Sequence, residues 1–157
     1  MYIGTQDLLK QYDAYLLEHG YQIEELVNLA SDALLNHFTK YNRFAILIGP
    51  GNNGADGYSL GLKLEKLRKH VIYYYSGDIG KVSQANRYYR DQCEENHLIY
   101  VDEDNINTIN WNDYDCIVDG LFGFGLNSAP RGMYKIIIES IMNHYNGTIG
   151  AIDIPTG

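Results

Sequence analysis

A chain of 157 residues, 45% of them hydrophobic, has the size of one domain with a real core. A formal charge of −8 excludes a surface built to hold bare nucleic acid, which needs clustered lysine and arginine, but not a nucleotide held by backbone amides. The two cysteines, Cys93 and Cys116, lack metal-ligand spacing, no basic-then-apolar leader is visible and no apolar run reaches the length of a membrane span, so a cytoplasmic protein with reduced thiols is expected.

Two helices come first. In "TQDLLKQYDAYLLEHG", Leu8, Tyr12, Tyr15 and Leu16 share a helical face, and Gly20 suits the C-terminal cap. In "QIEELVNLASDALLNHF", Ile23, Leu26, Val27, Ala30, Leu34 and Phe38 form a second apolar stripe. "RFAILI" then reads as a buried strand, followed by the polar turn "GPGNNGADG" and a helix carrying Leu60, Leu64 and Leu67. "VIYYYS" is a strand, "SQANRYYRDQCEENH" a polar helix, and "LIYV" and "CIVD" are short strands. After "GLFGFGLNSAPRG" come the helix "MYKIIIESIMNH" and a last strand within "TIGAIDIPTG". Strands alternating with helices predict an α/β fold with a parallel sheet covered on both faces. The fifteen tyrosines are expected mostly to pack with their hydroxyls at the surface.

Ligands of open parallel sheets bind beyond the carboxyl ends of the strands. Three such ends here are polar and glycine-rich: Gly49 to Gly57, Asp119 to Asn127, and Asp153 to Gly157. Parallel strands bring them to one edge, so a single site of Asn52, Asn53, Asp56, Asp119, Asp153 and Thr156 is expected. Taken singly, each residue has a structural role open to it. Asp56 suits a helix cap, and Asp119 and Asp153 suit the ends of strands. Together, their convergence favours binding. His37, His70 and His97 read as helix-surface or helix-end residues and receive no role. Gly49-x-Gly51-x-x-Gly54 fits a dinucleotide fingerprint, with Asp78 imitating its ribose-binding acid, yet this leaves Asn52, Asn53 and Asp56 unexplained. A nucleotide-triphosphate phosphate loop fails, because Ala55 and Asp56 stand where Lys and Ser or Thr are needed.

"GPGNNGADG", "DCIVDGLFGFGL" and "AIDIPTG" resemble, in order, the three signatures of the NAD(P)H-hydrate epimerases, the YjeF N-terminal domain family, whose patterns are close to G-x-G-N-N-G-G-D-G, D-x-[LI]-F-G-T-G and D-[IV]-P-S-G. The resemblance spans nearly all of residues 1–157. It implies a Rossmann-like three-layer α/β/α sandwich with a mostly parallel sheet. It also implies epimerisation of the R and S forms of hydrated NADH and NADPH, in which water has added across a nicotinamide-ring double bond. A separate or fused ATP- or ADP-dependent dehydratase would then restore the S form. By position, Asn52, Asn53, Gly54, Ala55 and Asp56, with Gly123, Phe124, Gly125, Leu126, Asn127, Ser128 and Ala129, would hold the hydrated dinucleotide. Asp153 would contact the damaged ring and is the candidate for proton transfer at the carbinol carbon. Asn53, Asp119 and Thr156 would hold a potassium ion.

Three departures stand out. Ala55 replaces a glycine, which costs energy if the position needs a positive φ. Phe124 stands where threonine is common. The chain stops at Gly157, short of the family's last strands and helix, so a C-terminally truncated domain with an open sheet edge is expected. A non-catalytic nucleotide- or protein-binding module of the same fold is the competing reading, and a plain NAD-dependent oxidoreductase fits poorly. Oligomeric state is open, a homodimer included, as is the preference between NADH and NADPH.

Overall fold

The structure is a computed structural model and describes Gln11, residues 14–122 and residues 130–152. Residues 14–18 are helical, and Gly20 ends this stretch with φ +90°, a left-handed conformation that suits glycine. Helix α1 (Ile23–Phe38) leads into strand β1 (Arg43–Ile48), helix α2 (Asn52–Lys66) and strand β2 (His70–Tyr75). Helix α3 (Gln84–Arg90), strand β3 (Leu98–Tyr100), strand β4 (Cys116–Gly120), helix α4 (Gly132–His144) and strand β5 (Thr148–Ala151) follow. The sheet order is β3-β2-β1-β4-β5, and every pairing is parallel. The chain steps outward from β1 to β3, then crosses back to β4. This is the Rossmann-like α/β/α arrangement, with its topological switch point between β1 and β4.

Strand β1 shows why "RFAILI" carries no polar alternation. Phe44, Ile46 and Ile48 pack under α1, α2 and α3, whereas Ala45 and Leu47 face Trp111, Ile137 and Ile141 on the other side. A strand buried on both faces reads as a continuous apolar run, and each large side chain fully buried there contributes roughly 1.5–3 kcal/mol.

Three local expectations change. In α1 the fully buried positions are Val27, Ser31 and Phe38, while Ala30 stays exposed. The rotation follows from α2, whose Ser59 hydroxyl lies 2.7 Å from that of Ser31, and whose Lys63 Nζ donates to Ser31 Oγ and to the Asn28 carbonyl, each at 2.7 Å. The helix expected through residue 97 ends at Arg90, because the chain must fold back to set Leu98 beside Tyr73. Cys93 is thereby tucked against the core. The stretch between β3 and β4 forms two 3-10 turns, and the second seats Trp111, whose Nε1 donates to Ser140 Oγ at 3.0 Å. Five tyrosines, Tyr58, Tyr73, Tyr74, Tyr89 and Tyr145, are buried. Hydroxyls among them find internal partners, Tyr73 on Glu65 Oε2 at 3.2 Å and Tyr89 on the Glu24 carbonyl at 2.7 Å. Among the described residues, β5 pairs on one side only, with β4, and its Ile149 is 50% exposed. No helix among them is long and apolar enough to cross a membrane.

Candidate functional site

Beyond Ile48 the chain turns through Gly49, Pro50 and Gly51 and is helical from Asn52 onward, with Gly51 as N-cap. The polar turn expected over Asn52 to Asp56 is therefore the first turn of α2. Asp56 lies inside the helix and does not cap it. Ala55 is also inside, fully buried, and does not have a positive φ. The strain expected at Ala55 is absent, and alanine favours the helix there. The first amides of α2 have no acceptor within the helix, and the helix dipole is positive at this end.

Close packing explains the glycines. A Cβ on Gly49 would overlap the Leu121 carbonyl, and one on Gly54 would overlap the Gly49 carbonyl and sit 2.6 Å from Asn86 Nδ2. Asn86, on α3 and 1% exposed, donates through Nδ2 to the carbonyls of Gly49 at 2.7 Å and Gly51 at 3.1 Å. Ser83 N donates to the Pro50 carbonyl at 2.9 Å. Asn86 therefore shapes the turn, although the sequence reading passed over it. The one available signal was its helical spacing, three residues, from the buried Tyr89.

The neighbouring strand ends are laced to this turn. Gly49 N donates to the Gly120 carbonyl at 3.0 Å, and Ile152 N to the Asp119 carbonyl at 3.1 Å. Asp119 is 7% exposed, and its Oδ1 accepts from Leu121 N at 3.1 Å. The Asn53 carbonyl lies 3.4 Å from where a Gly120 Cβ would be, which puts Asn53 against the end of β4. Among the described residues Asn53 Nδ2 is buried without a hydrogen-bond partner. Asn52 and Asp56, one turn apart, line a different space. This is a cleft of about 180 Å³ whose other wall is Leu17, Leu26, Val27 and Ala30. Asn52 and Asp56 thus share a cleft beneath α1, whereas Asp119 lines a small apolar cavity with Leu47, Ile117, Ile138, Ile141, Met142 and Ile149, so the single site expected from six residues is not assembled among the described residues. Gly123, Phe124, Gly125, Leu126, Asn127, Ser128, Ala129, Asp153 and Thr156 lie outside the described residues.

Asp78 closes its own turn by accepting from Gly80 N at 2.9 Å, which gives this residue a structural task. Burial pushes the Cys93 thiol up to about 12 and the Cys116 thiol up to about 11. Both remain thiols at neutral pH, so neither suits a nucleophile. Among the described residues no three His, Cys, Asp or Glu side chains come together. The oxygen donors proposed for an ion among the described residues are the Asn53 amide on α2 and the Asp119 carboxylate at the end of β4. Amide nitrogen and oxygen exchange places on rotation, so the unpartnered buried end of Asn53 can equally present an oxygen. This set fits a hard, weakly charged cation and lacks the thiolates or imidazoles of a structural zinc site.

The family model described as YjeF-related protein N-terminus matches residues 23–157. The chain is similar to a protein named NAD(P)H-hydrate epimerase from Anaerococcus prevotii, 33% identical over 139 residues, 84% of this chain and 63% of that protein. It is similar to one of the same name from Leuconostoc citreum, 29% identical across 100% of this chain and 70% of the relative. A yeast protein of known crystal structure has the same fold, with a TM-score of 0.82 at 24% identity, covering 100% of this chain and 72% of that one. The chain thus spans 63% of the length of the Anaerococcus relative.

Proposed function

The chain belongs to the family of YjeF-related protein N-termini, and from that premise we propose that it epimerises the R and S forms of hydrated NADH and NADPH. The observation that carries this reading is the first turn of α2, fixed by Gly49, Gly54 and Asn86 against Gly120 and Leu121 at the switch point. Relatives carrying the epimerase name cover most of this chain. The amides at the start of α2 suit an anionic group of the dinucleotide, with Asn52, Asn53, Gly54, Ala55, Asp56 and the segment Gly123 to Ala129 as the binding residues. Epimerisation at a carbinol carbon beside nitrogen needs a proton moved to and from the hydroxyl or the ring, and Asp153 is the group we assign to it. Asn53, Asp119 and Thr156 would hold potassium, which supplies positive charge beside the buried Asp119 carboxylate. An ATP- or ADP-dependent dehydratase is the functional partner this activity requires, and the two free cysteines suit the reducing cytoplasm.

The test is equilibration of purified R or S hydrated NADH, followed by chromatography of the epimers. The wild-type chain should speed it. Asp153→Asn should abolish the acceleration with an unchanged circular dichroism spectrum, and full activity in that variant would remove Asp153 from the mechanism. A non-catalytic binding module would bind the hydrate without equilibrating it. Ala55 sits unstrained in a helix and lends that second reading no support.

A further inference from the structure

Helices α1 and α3 leave a groove of about 580 Å³ between them, on a different flank of α1 from the cleft that Asn52 and Asp56 line. Tyr21, Glu24, Glu25 and Leu29 stand on one wall, and Tyr88 and Tyr89 of α3 on the other. Three of its large side chains remain in water: Leu29 is 58% exposed, Tyr88 51% and Tyr21 46%. Apolar side chains grouped in this way and rimmed by polar ones mark an interaction site. The walls are held in place. The Tyr89 hydroxyl donates to the Glu24 carbonyl at 2.7 Å and ties α3 to α1. The Tyr88 and Tyr89 rings stand perpendicular with centroids 5.0 Å apart. Glu25 Oε2 accepts from Gln22 N at 3.1 Å, which fixes that carboxylate at the start of α1. A partner therefore meets a groove that is already formed, and little ordering cost falls on this side of the contact.

We propose that this groove docks a segment of a partner protein that presents an arginine beside an aliphatic anchor. Charge complementarity selects this occupant. The groove holds the carboxylates of Glu24 and Glu25, and among the described residues no lysine or arginine lines it. The chain as a whole carries a formal charge of −8. A cationic segment is drawn to such a surface, whereas the phosphates of a nucleic acid or of an anionic membrane are repelled. Of the cationic side chains arginine fits best, because its planar guanidinium can fork onto a carboxylate and stack on a tyrosine ring. Glu24 and Tyr88 offer those two partners. An aliphatic neighbour then covers Leu29 and Tyr21, and a groove between two helices is a form that receives an amphipathic helix. A second copy docking by two-fold symmetry would instead set the same carboxylates against one another. The groove contains none of the residues assigned to the dinucleotide, so the inference does not rest on the epimerase reading.

The experiment follows the backbone amides of the full chain by NMR as a peptide is added. The probe is a synthetic helical peptide, blocked at both ends, with leucine and arginine on one face. Its control carries citrulline, neutral and of the same shape, in place of arginine. The arginine peptide should shift the amides of Leu29 and Tyr88, and the citrulline peptide should bind about tenfold more weakly. Tyr88→Ala should weaken the arginine peptide about fivefold, and Glu24→Gln about threefold. Leu29→Ser removes the apolar contact and decides the matter if either of these fails to fold. Glu103→Gln, which takes an equally exposed charge from outside the groove, should bind as wild type. Absence of shifts at the groove, equal affinity for the two peptides, or equal weakening in Glu103→Gln would each overturn the inference. Shifts of Leu29 and Tyr88 that grow with protein concentration alone, and vanish in Leu29→Ser, would make a second copy the occupant and overturn it as well. None of these outcomes bears on equilibration of the hydrate, so the epimerase reading stands or falls by its own assay.

Discussion

Asp115, just before β4, and Asp119, near its carboxyl end, stand four residues apart. At the amino end, the Asp115 carboxylate accepts from Asn42 N at 3.0 Å and Arg43 N at 3.1 Å. Arg43 Nε donates to the Asp113 carbonyl at 2.7 Å, and Lys69 Nζ to the Thr39 carbonyl at 2.8 Å and Asn42 Oδ1 at 3.0 Å. These polar groups are occupied in closing the sheet. At the carboxyl end, Asp119 is buried, Asn53 Nδ2 is buried with no partner among the described residues, and the first amides of α2 lack helical acceptors. One end spends its hydrogen bonds on the fold, and at the other the buried Asn53 Nδ2 and the first amides of α2 remain to be met. Residue type does not separate the two roles. Asp115 is bound to backbone amides at the entry to β1, 72 and 73 residues away.

The largest effect should come from Gly49→Ala. Its methyl would overlap the Leu121 carbonyl, and relieving that means shifting backbone at the junction of β1 and β4. A stability loss of about 3 kcal/mol is expected in urea unfolding, and a change within error would show that the two strand ends are not locked together. Asp115→Ala comes next. It leaves two backbone N–H groups without their acceptor, so a loss of about 1–3 kcal/mol is expected, with epimer equilibration intact in the folded fraction. A selective loss of catalysis there would break the division between the ends. Asp119→Asn makes the converse test. The asparagine oxygen can still accept from Leu121 N, so melting in tetramethylammonium chloride should change little. A rise in melting temperature with potassium, expected for the wild type by mass action, should vanish in the variant. Identical wild-type melting in potassium, lithium and tetramethylammonium chlorides would remove the ion site.

Ala55→Gly should cost about 1 kcal/mol, read as a lowered melting temperature, because Ala55 is a buried helical residue. No loss would mean that the position favours a non-helical backbone. The smallest effect concerns the thiols. Burial raises Cys116 to about 11 and Cys93 to about 12, from an ordinary value near 9.0. The unfolded chain therefore releases these protons first as pH rises. Their contribution to stability is complete below about pH 8 and erodes above about pH 9. Thermal melts between pH 7 and pH 10 should show a smaller alkaline loss for Cys116→Ala than for wild type. Parallel curves would argue against burial of that thiol.

The order and type of the elements were legible in the sequence. "RFAILI", "VIYYYS" and "CIVD" announce strands by apolar runs bounded by turns, and alternation with helices requires a parallel sheet. A parallel sheet in turn gathers its polar strand ends on one edge, so a site there needed no coordinates. The three glycine-rich signatures, "GPGNNGADG" first among them, carried the family. Other features were settled only by tertiary structure. The rotation of α1 depends on Ser31 meeting Ser59, 28 residues away, and leaves Ala30 lining the cleft opposite Asn52 and Asp56. Asn86 becomes the clamp of the glycine turn only because α3 docks 37 residues from Gly49. Asp115 meets Asn42 N across 73 residues, and no local pattern distinguishes it from Asp119. Periodicity encodes which side of an element is apolar, whereas the rotation of a helix and the satisfaction of a buried polar group depend on packing against segments far along the chain.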